Sequence, residues 1–219
     1  MKTIKGTKII RVDPEHPEEN LIRLAARVIK RGGLVAYPTD TVYGLAANAL
    51  DEEAIKKVFL AKERKTTNPL IIHLSKKEEV YKLVIKVSPL AEELMSKFWP
   101  GALTLIFEAK AELSSLLTAK GRKIGIRIPN HRIALKLITL AGVPVTSPSA
   151  NLSGNPAPVD SQEVIKDLAG RIELIIEGGE TNLKVPSTIL DLTREPPLIL
   201  REGAKLRGLG PILQKWIVN

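Results

Sequence analysis

Five short stretches of the chain carry side chains that could bind an anion. They contain hydroxyl, amide and basic groups and span residues 38–45, 62–73, 127–131, 147–154 and 186–201. Neither an activated nucleophile nor a pair of carboxylates accompanies them. This inventory suits a site that binds and aligns a polyphosphate while a substrate carries out the attack, because phosphoryl and nucleotidyl transfer rest largely on positioning and charge stabilisation. Mg²⁺ would then arrive on the nucleotide.

Five of these polar positions also have an ordinary structural interpretation. Thr39 and Thr41 are more typical of a capped turn than of a site, by roughly two to one. Lys62 ends a predicted helix, where a cation stabilises the helix dipole by up to about 1 kcal/mol. His73 lies in an apolar stretch and is more typical of a hydrogen-bonded core histidine than of a catalyst. Arg127, between isoleucines, requires either an acidic partner or a bound anion, and both remain open.

Other positions indicate an anion more directly. Arg64 and Asn68 lie in the loop after that predicted helix, where a guanidinium and an amide could clamp an oxyanion. Residues 147–154, SPSANLSG, could present side-chain and main-chain donors to a phosphate. Ser187 and Arg201 add a hydroxyl and a guanidinium at the ends of the last predicted strands. The sequence contains no P-loop, no G-x-G-x-x-G motif, no G-x-S-x-G motif and no H-E-x-x-H motif.

The positive charge of the chain is concentrated in two segments. The sequence has 33 Lys and Arg against 24 Asp and Glu, a formal net charge of +9. Residues 56–65 contribute five cations and one acid, and residues 120–132 contribute five cations and no acid, so the rest of the chain is neutral. A charge run is a solvated face in roughly two cases of three. Two acid-poor clusters in a balanced chain nevertheless favour an anionic ligand, either phosphate or nucleic acid.

Length and composition exclude several classes of protein. A chain of 219 residues can bury a sizeable core without disulfides or a structural metal. The absence of cysteine excludes thiolate zinc sites and cysteine nucleophiles and fits a reducing compartment. Aromatic residues make up only 4% of the chain, which argues against extensive base-stacking platforms. With no apolar run typical of a signal peptide or a membrane span, we expect a cytoplasmic protein without membrane contact.

Hydrophobic periods of about 3.6 and of 2 alternate along the chain, which predicts interleaved helices and strands. The first predicted helix has Leu21, Leu24, Ala25 and Val28 on its apolar face. Asp51 and Ser88 are predicted N-caps, the first of a helix with Ile55 on its apolar face and the second of a helix that reaches Phe98. Further helices are predicted around Ile133, from Asp160 and from about residue 210. The predicted strands are Leu34–Tyr37, Leu70–Leu74, Leu103–Phe107, Lys123–Ile128, Val143–Thr146, Leu174–Ile176, Thr188–Leu192 and Leu198–Arg201, the last two forming a hairpin. The pattern predicts one α/β domain with a twisted, mixed sheet and helices packed on it.

The stretch Lys123–Ile128 predicts where one basic side chain points. Ile124, Ile126 and Ile128 fall on one face of this strand, and Lys123, Gly125 and Arg127 fall on the other. Arg127 is therefore expected to leave the sheet on the side away from the isoleucines.

Seven strings in register resemble the YrdC-type threonylcarbamoyl-AMP synthase family. They are PTDTVYGL at 38–45, K-x-R at 62–64 with N-P-L at 68–70, GALTLI at 101–106, IGIRIP at 124–129, SPSANLSG at 147–154, PSTILD at 186–191 and ILREG at 199–203. This resemblance implies a YrdC-like catalytic domain over residues 1–203. Residues 204–219 would form a tether and a short helix, too small for a separate domain, as in the short form of the family.

The resemblance implies an enzyme that converts L-threonine, bicarbonate and ATP into threonylcarbamoyl-AMP and pyrophosphate. The product would supply the tRNA threonylcarbamoyl-transfer machinery, which modifies the adenosine beside the anticodon. The family pattern implies threonine contacts from Thr41, His73, Arg127, Ser147 and Ser187. It implies contacts with ATP from Lys62, Arg64, Asn68, Ser149, Asn151 and Arg201. Lys62, Arg64 and Arg127 would be the catalytic residues, and Lys123 is added to the ATP set on electrostatic grounds alone.

Other functions and one further feature remain open on the sequence. The protein could instead be a non-catalytic binder of tRNA or double-stranded RNA, whose affinity would fall steeply with salt. It could also be a YciO-type relative with another substrate. Lys205 and Arg207 follow Arg201 closely, which suggests that the tether folds over the phosphates as a lid.

Overall fold

The chain forms an α/β structure built on two mixed β-sheets. The structure is a computed structural model, and it describes residues 2–204 and 206–217. The predicted fold class, with parallel and antiparallel pairing in one α/β domain, is confirmed. The arrangement of strands differs from the prediction in one respect, because they divide between two sheets instead of forming one.

The first sheet contains three short strands that the sequence pattern did not predict. Its members, in sheet order, are β1 (Lys2–Ile4), β2 (Thr7–Arg11), β9 (Leu174–Glu177), β3 (Val35–Tyr37) and β4 (Gly44–Ala46). β9 pairs in parallel with β2 and β3, and β1, β2 and β4 are the unpredicted strands. Lys5 and Gly6 join β1 to β2 with φ of 49° and 88°, as a two-residue hairpin turn requires.

The second sheet carries all of the other predicted strands. Its members, in sheet order, are β11 (Leu198–Arg201), β10 (Thr188–Asp191), β6 (Leu103–Glu108), β7 (Lys123–Arg127), β5 (Ile71–His73) and β8 (Val145–Thr146). Each observed end lies within two residues of the predicted one. β10 and β11 pair antiparallel, which confirms the predicted hairpin.

Seven α-helices are present in the described part of the chain. They are α1 (Glu19–Lys30), α2 (Glu52–Lys62), α3 (Val80–Leu83), α4 (Pro89–Phe98), α5 (Arg132–Ala141), α6 (Ser161–Leu168) and α7 (Leu209–Ile217). Asp51, Ser88 and Asp160 accept main-chain hydrogen bonds at the N-termini of α2, α4 and α6, as their sequence positions predicted. None of these helices is long and apolar enough to cross a membrane.

The buried face of α1 is offset from the predicted one. Ile22, Ala26 and Ile29 are buried with Ala25, whereas the predicted Leu21, Leu24 and Val28 are only partly buried. α1 packs on α5 and on the first sheet, and this contact favours the neighbouring row of side chains.

The core has two parts that share the first sheet. One face of that sheet packs against the second sheet, so that Ala36 and Ile175 belong to the same hydrophobic cluster as Leu105 and Ile126. The opposite face packs against α1 and α5 through residues such as Ile176. The isoleucine face of β7 therefore lies in the core, and its other face is left for a site.

The C-terminal segment packs along α4. Ile212 is buried in the core, and Trp216 donates its indole N–H to Glu93 of α4 at 2.9 Å. Lys205, one of the two cations behind the expected lid, lies outside the described residues.

Gly125 is required where β7 passes between two neighbours. A Cβ atom there would lie 2.9 Å from Ile71 Cγ2 and 3.3 Å from Thr104 Cγ2. We expect Gly125→Val to lower the free energy of unfolding by about 1–3 kcal/mol, because overpacking displaces strands β5 and β6. Urea unfolding measures this, with Gly210→Ala as the control, since nothing lies within 4 Å of its added Cβ. Equal stability of wild type and Gly125→Val would contradict the prediction.

Candidate active site

A cavity of about 540 Å³ lies over the second sheet, on the face opposite the isoleucines of β7. It is lined by eleven of the twelve residues that the sequence placed in the site: Thr41, Arg64, Asn68, His73, Lys123, Arg127, Ser147, Ser149, Asn151, Ser187 and Arg201. The twelfth, Lys62, does not line it. Segments more than 150 residues apart in sequence therefore converge on one space.

The floor of the cavity follows from strand alternation. Arg127 pairs in register with His73 on β5, and Arg201 pairs with Ile189 on β10. By the register of β6, Thr104 lies between these pairs, so the five side chains share one row and one face of the sheet. Lys123 lies four residues from Arg127 on β7, about 13 Å away at roughly 3.3 Å per residue.

The walls are loops that leave the ends of strands. Residues 39–44, 64–69 and 147–157 supply most of the remaining lining. Thr39 accepts from the main-chain N–H of Thr41 at 3.1 Å and donates to Val42 O at 2.7 Å, so the predicted capped turn exists inside the cavity wall. Gly44 allows two walls to meet, because a Cβ there would lie 2.4 Å from Ser147 Oγ.

Arg127 has an acidic partner, which decides between the two alternatives that the sequence left open. Its guanidinium donates to Asp40 Oδ1, to Thr41 Oγ1 at 2.7 Å and to Gly101 O at 2.8 Å. Both Arg127 and Asp40 are buried. Burial lowers the pKa of Arg127, and the carboxylate of Asp40 opposes that shift. An arginine remains a cation even so, and Arg127 is one of the residues that line the cavity.

Arg64 and Arg201 differ from Arg127 because neither pairs with a carboxylate in the described part of the chain. Arg64 donates to Asn68 O at 3.3 Å and to Pro69 O at 2.9 Å. Arg201 donates to Ser187 O at 2.9 Å and to Ser187 Oγ at 3.0 Å. Burial lowers the pKa of both groups, and Arg127 adds to the effect at Arg201. The cavity thus holds two uncompensated guanidinium groups, which an anion would neutralise.

Lys62 lies behind the wall. Although it ends α2, its side chain is buried, and Nζ donates to Ser149 O, to Asn151 O at 2.6 Å and to Asn151 Oδ1 at 3.3 Å. Burial, followed by the charge of Arg64, lowers its pKa to about 7. Lys62 therefore organises the loop that carries two predicted ATP contacts and does not itself face the cavity.

Lys123 is exposed on the cavity floor and pairs with Asp191 at 2.9 Å. Asp191 also accepts from Thr193 Oγ1 at 2.6 Å, and hydrogen bonds from Thr193 and Lys123 lower its pKa against the opposing effect of burial. No group of three or more Asp, Glu, His or Cys side chains in the described residues could hold a metal ion. Asp191 is the carboxylate that the described cavity lining contains.

His73 is buried beside a tyrosine. Its Nδ1 lies 2.9 Å from the hydroxyl of Tyr37, which in turn donates to Ser147 Oγ at 2.9 Å. Its Nε2 is buried and has no hydrogen-bond partner among the described residues. Burial and the nearby Arg127 lower the pKa of His73 well below its usual 6.5, so the ring is neutral at physiological pH.

Sequence comparison identifies the family to which the chain belongs. The family model Sua5_yciO_yrdC, described as "Telomere recombination", matches residues 27–203. The chain belongs to the Sua5/YciO/YrdC family. The threonylcarbamoyl-AMP synthase of Pyrococcus abyssi (strain GE5 / Orsay) is 48% identical over 189 residues, which cover 86% of this chain and 56% of that protein.

Structural comparison places family members on the same fold. The crystal structure of P. abyssi Sua5 complexed with L-threonine has a TM-score of 0.88 at 48% identity and covers 90% of this chain. E. coli YciO has a TM-score of 0.84 at 28% identity and covers 92% of this chain and 98% of YciO. The alignment spans 58% of the Sua5 chain, so this chain spans a little over half the length of that family member.

Three site residues of this Sua5/YciO/YrdC-family chain were missed in the sequence. Tyr37 ends β3 and was predicted only as a strand residue. Its hydroxyl contacts His73 of the other sheet, and the sequence pattern of one strand does not reveal such a contact. Asp40 stands inside PTDTVYGL and Asp191 inside PSTILD, so both were within the strings already selected. Their partners, Arg127 and Lys123, lie more than 60 residues away, and no sequence signal identifies such pairs.

The two basic segments of the family domain converge in space. β5 and β7 are parallel neighbours, and Leu70 N–H donates to Leu117 O at 3.0 Å, so the loops that precede these strands are adjacent. Several of the cations outside the cavity have local partners. Lys56 pairs with Glu53, Arg132 pairs with Glu15, and Lys57 donates to Gly32 O.

The tether does not cover the cavity in this structure. None of the described residues of 204–217 lines it, because the segment packs along α4. The expected lid is therefore not formed by the described part of the tether.

Lys62 provides a prediction about the cavity wall. Replacing it with Met leaves two buried carbonyl groups without their donor, so we expect Lys62→Met to lower the free energy of unfolding by about 2 kcal/mol or more. Urea unfolding measures this, and Lys56→Met on the exposed side of α2 is the control, expected within about 0.5 kcal/mol of wild type.

The size of this effect should depend on pH. Between about pH 7 and the ordinary lysine value of 10.5, the unfolded chain binds one more proton at this position than the folded chain. Wild-type stability therefore gains with rising pH, and the difference from Lys62→Met should widen across that range. A difference that is constant or narrows would contradict the lowered pKa.

Proposed function

We propose that the protein is a threonylcarbamoyl-AMP synthase, which forms threonylcarbamoyl-AMP and pyrophosphate from L-threonine, bicarbonate and ATP. The observation that carries this proposal is the pair of uncompensated guanidinium groups, Arg64 and Arg201, on the cavity that also holds the neutralised Arg127–Asp40 pair. Family membership and the synthase name of the P. abyssi relative support it.

The proposed chemistry needs no covalent nucleophile from the protein. The amine of threonine bonds to the carbon of carbon dioxide, supplied by bicarbonate, and loses a proton to give a carbamate. A carbamate oxygen then attacks the α-phosphorus of ATP as the bond to the departing pyrophosphate breaks. Negative charge builds up on the departing pyrophosphate in the transition state, so fixed cations and hydroxyl donors placed against it contribute most of the catalysis.

Threonine would occupy the end of the cavity near His73. Thr41 is hydrogen-bonded to Arg127, the register partner of His73, and Ser147 is linked to His73 through Tyr37. Ser187 also lines the cavity and is hydrogen-bonded to Thr104, beside Arg127 in the row of the floor, and to Arg201. Arg127 would receive the substrate carboxylate with the N–H groups that Asp40, Thr41 and Gly101 leave free. The complex of P. abyssi Sua5 with L-threonine supports a threonine site in this fold.

ATP would lie toward the two unpaired guanidinium groups. Arg64 and Arg201 would neutralise phosphate oxygens, with Asn68, Ser149 and Asn151 as hydrogen-bonding neighbours. Lys62 would act through the main chain of the 149–151 loop, and Lys123 through its exposed ammonium beside Asp191.

Mg²⁺ would arrive with ATP. A single carboxylate, Asp191, faces the described cavity and already pairs with Lys123, so the lining fits an ion held mainly by phosphate oxygens and water. The ion would reduce the charge on the triphosphate, and the positioning would remain with the arginines.

The product would serve tRNA modification in the cytoplasm. A mixed anhydride of a carbamate and a phosphate is an activated acyl donor, and the downstream threonylcarbamoyl-transfer machinery would consume it. Direct contact of this chain with tRNA or double-stranded RNA remains the alternative use of Lys120 and Arg122, which are exposed in the loop beside the cavity.

The first test is a product assay. Purified protein incubated with ATP, Mg²⁺, bicarbonate and L-threonine should release pyrophosphate and form the adenylate, and both should require threonine. Chromatography of the nucleotide products measures this. Pyrophosphate release without threonine would overturn the proposal and favour a YciO-type relative with another substrate. Salt-sensitive RNA binding without any release would favour the non-catalytic alternative.

The second test separates the two ends of the cavity. Arg64→Ala should raise KM for ATP about 10- to 100-fold with little change in KM for threonine, because it removes charge-assisted hydrogen bonds to phosphate. Arg127→Lys, which keeps a cation beside Asp40, should raise KM for threonine instead. Arg132→Ala is the control, since this exposed residue pairs with Glu15 away from the cavity. Equal effects of the two variants on both substrates would contradict this division.

A further inference from the structure

His73 presents an incomplete hydrogen-bonding arrangement at the cavity. The residue lines the cavity and is almost fully buried. Nδ1 contacts Tyr37, whereas Nε2 is buried with no partner in residues 2–204 or 206–217. A buried polar atom without a partner is unfavourable by about 1–3 kcal/mol, so such atoms at a ligand cavity indicate a group that the ligand supplies.

The neutral imidazole of His73 can exist as either of two tautomers. Burial and the charge of Arg127, its register partner on β7, keep the pKa of His73 low, so a single proton resides on Nδ1 or on Nε2. Asp40 is the acidic group beside Arg127, and it is occupied by that guanidinium and by the N–H of Asn130 at 3.1 Å. The tautomer therefore depends on the neutral partner at Nδ1.

That partner is a fully buried tyrosine. Tyr37 has no exposed surface and does not line the cavity, but its hydroxyl lies 2.9 Å from His73 Nδ1 and 2.9 Å from Ser147 Oγ. The phenol donates its one proton to Ser147. The phenol oxygen is then an acceptor for His73, which places the histidine proton on Nδ1 and leaves a lone pair on Nε2.

We propose that Tyr37 is a positioning residue that, with Ser147 as its acceptor, fixes His73 as the Nδ1–H tautomer and makes Nε2 a hydrogen-bond acceptor for the substrate. The identity of that substrate rests on the proposed function. An acceptor at this position selects a donor. A hydroxy amino acid has two kinds of donor, its amino group and its hydroxyl group. Because the amino group must stay free to attack carbon dioxide in the proposed reaction, we assign the hydroxyl group to Nε2. Tyr37 would thereby contribute to specificity without touching the substrate.

The arrangement predicts opposite consequences for its two supporting hydroxyls. Without the Tyr37 hydroxyl, Nδ1–H has no acceptor, and both tautomers become populated. Without the Ser147 hydroxyl, Nδ1 is the one acceptor for the phenol proton that remains among the described residues, so the phenol donates to His73 and the histidine proton moves to Nε2. A role limited to packing would produce neither change, because the rings remain in place.

Nitrogen NMR of the free, ¹⁵N-labelled protein tests the tautomer directly. The signals of His73 are assigned by their loss in His73→Gln. Wild type should have a protonated Nδ1 and an unprotonated Nε2; Tyr37→Phe should show a mixture, and Ser147→Ala should show mainly protonated Nε2. Tyr43→Phe is the matched control: it removes another buried tyrosine hydroxyl, whose contacts are with the main chain of Gly178 and Gly179, and should leave these signals unchanged.

Steady-state kinetics give the second measurement. Tyr37→Phe should raise KM for L-threonine about tenfold, the size expected for one weakened hydrogen bond, and leave KM for ATP unchanged. L-Valine, which matches threonine in shape but lacks the hydroxyl, should be a poor substrate of wild type, and Tyr37→Phe should reduce the preference for threonine over valine.

Specific results would overturn the proposal. One is a wild-type His73 that is protonated on Nε2. The other is a set of His73 nitrogen signals that is the same in Tyr37→Phe and in Ser147→Ala as in wild type. If Tyr37→Phe fails to fold, wild type and Ser147→Ala alone decide. The spectra are recorded on free protein, so they do not depend on the proposed function. If the protein has the Nδ1–H tautomer but makes no adenylate, the proposed function is refuted and the positioning role of Tyr37 is retained.

Discussion

The buried ion pair between Arg127 and Asp40 connects the two sheets at the cavity. Arg127 belongs to β7 of the second sheet, and Asp40 belongs to the loop that follows β3 of the first. Removing one member of such a pair leaves an uncompensated buried charge, an effect of about 3–5 kcal/mol. The same guanidinium also donates hydrogen bonds to Thr41 Oγ1 and Gly101 O. Arg127 therefore fixes both the loop that contains the Thr39 turn and the segment just before β6.

This pair also determines the electrostatics of the cavity. Arg127 and Lys123 each have a carboxylate partner, whereas Arg64 and Arg201 have only neutral oxygen acceptors. The compensated cations attract the triphosphate less strongly, because a carboxylate neutralises each of them. The uncompensated cations supply the attraction for phosphate, and their lowered pKa values reflect the burial of charge without a counter-ion. The cationic side chains of this basic protein thus fall into three groups: those in pairs that support the site, those in local surface pairs, and those that are available to a ligand.

Tyr37 and Lys62 show that part of the site lies behind the surface that a ligand would touch. Lys62 holds two main-chain carbonyls of the 149–151 loop, and Tyr37 holds one atom each of His73 and Ser147. Both residues are fully buried or nearly so, and both act on residues distant in sequence. Neighbouring residues in the sequence therefore contribute in different ways. Lys62 shapes a wall, and Arg64, two positions later, faces the cavity.

The sequence by itself determined the fold class, all six strands of the second sheet and eleven of the side chains that line the cavity. Alternation along 123–128 was enough to separate Arg127 from the isoleucines, because the period of a strand is a local property. Strands β1, β2 and β4 were not predicted from the sequence. Only the tertiary structure decided that Asp40 neutralises Arg127, that Lys62 faces the loop and that Tyr37 contacts His73. These pairings join atoms from segments that are distant in sequence, and the physical reason is that a buried charge or hydroxyl takes whichever partner the packing brings within reach.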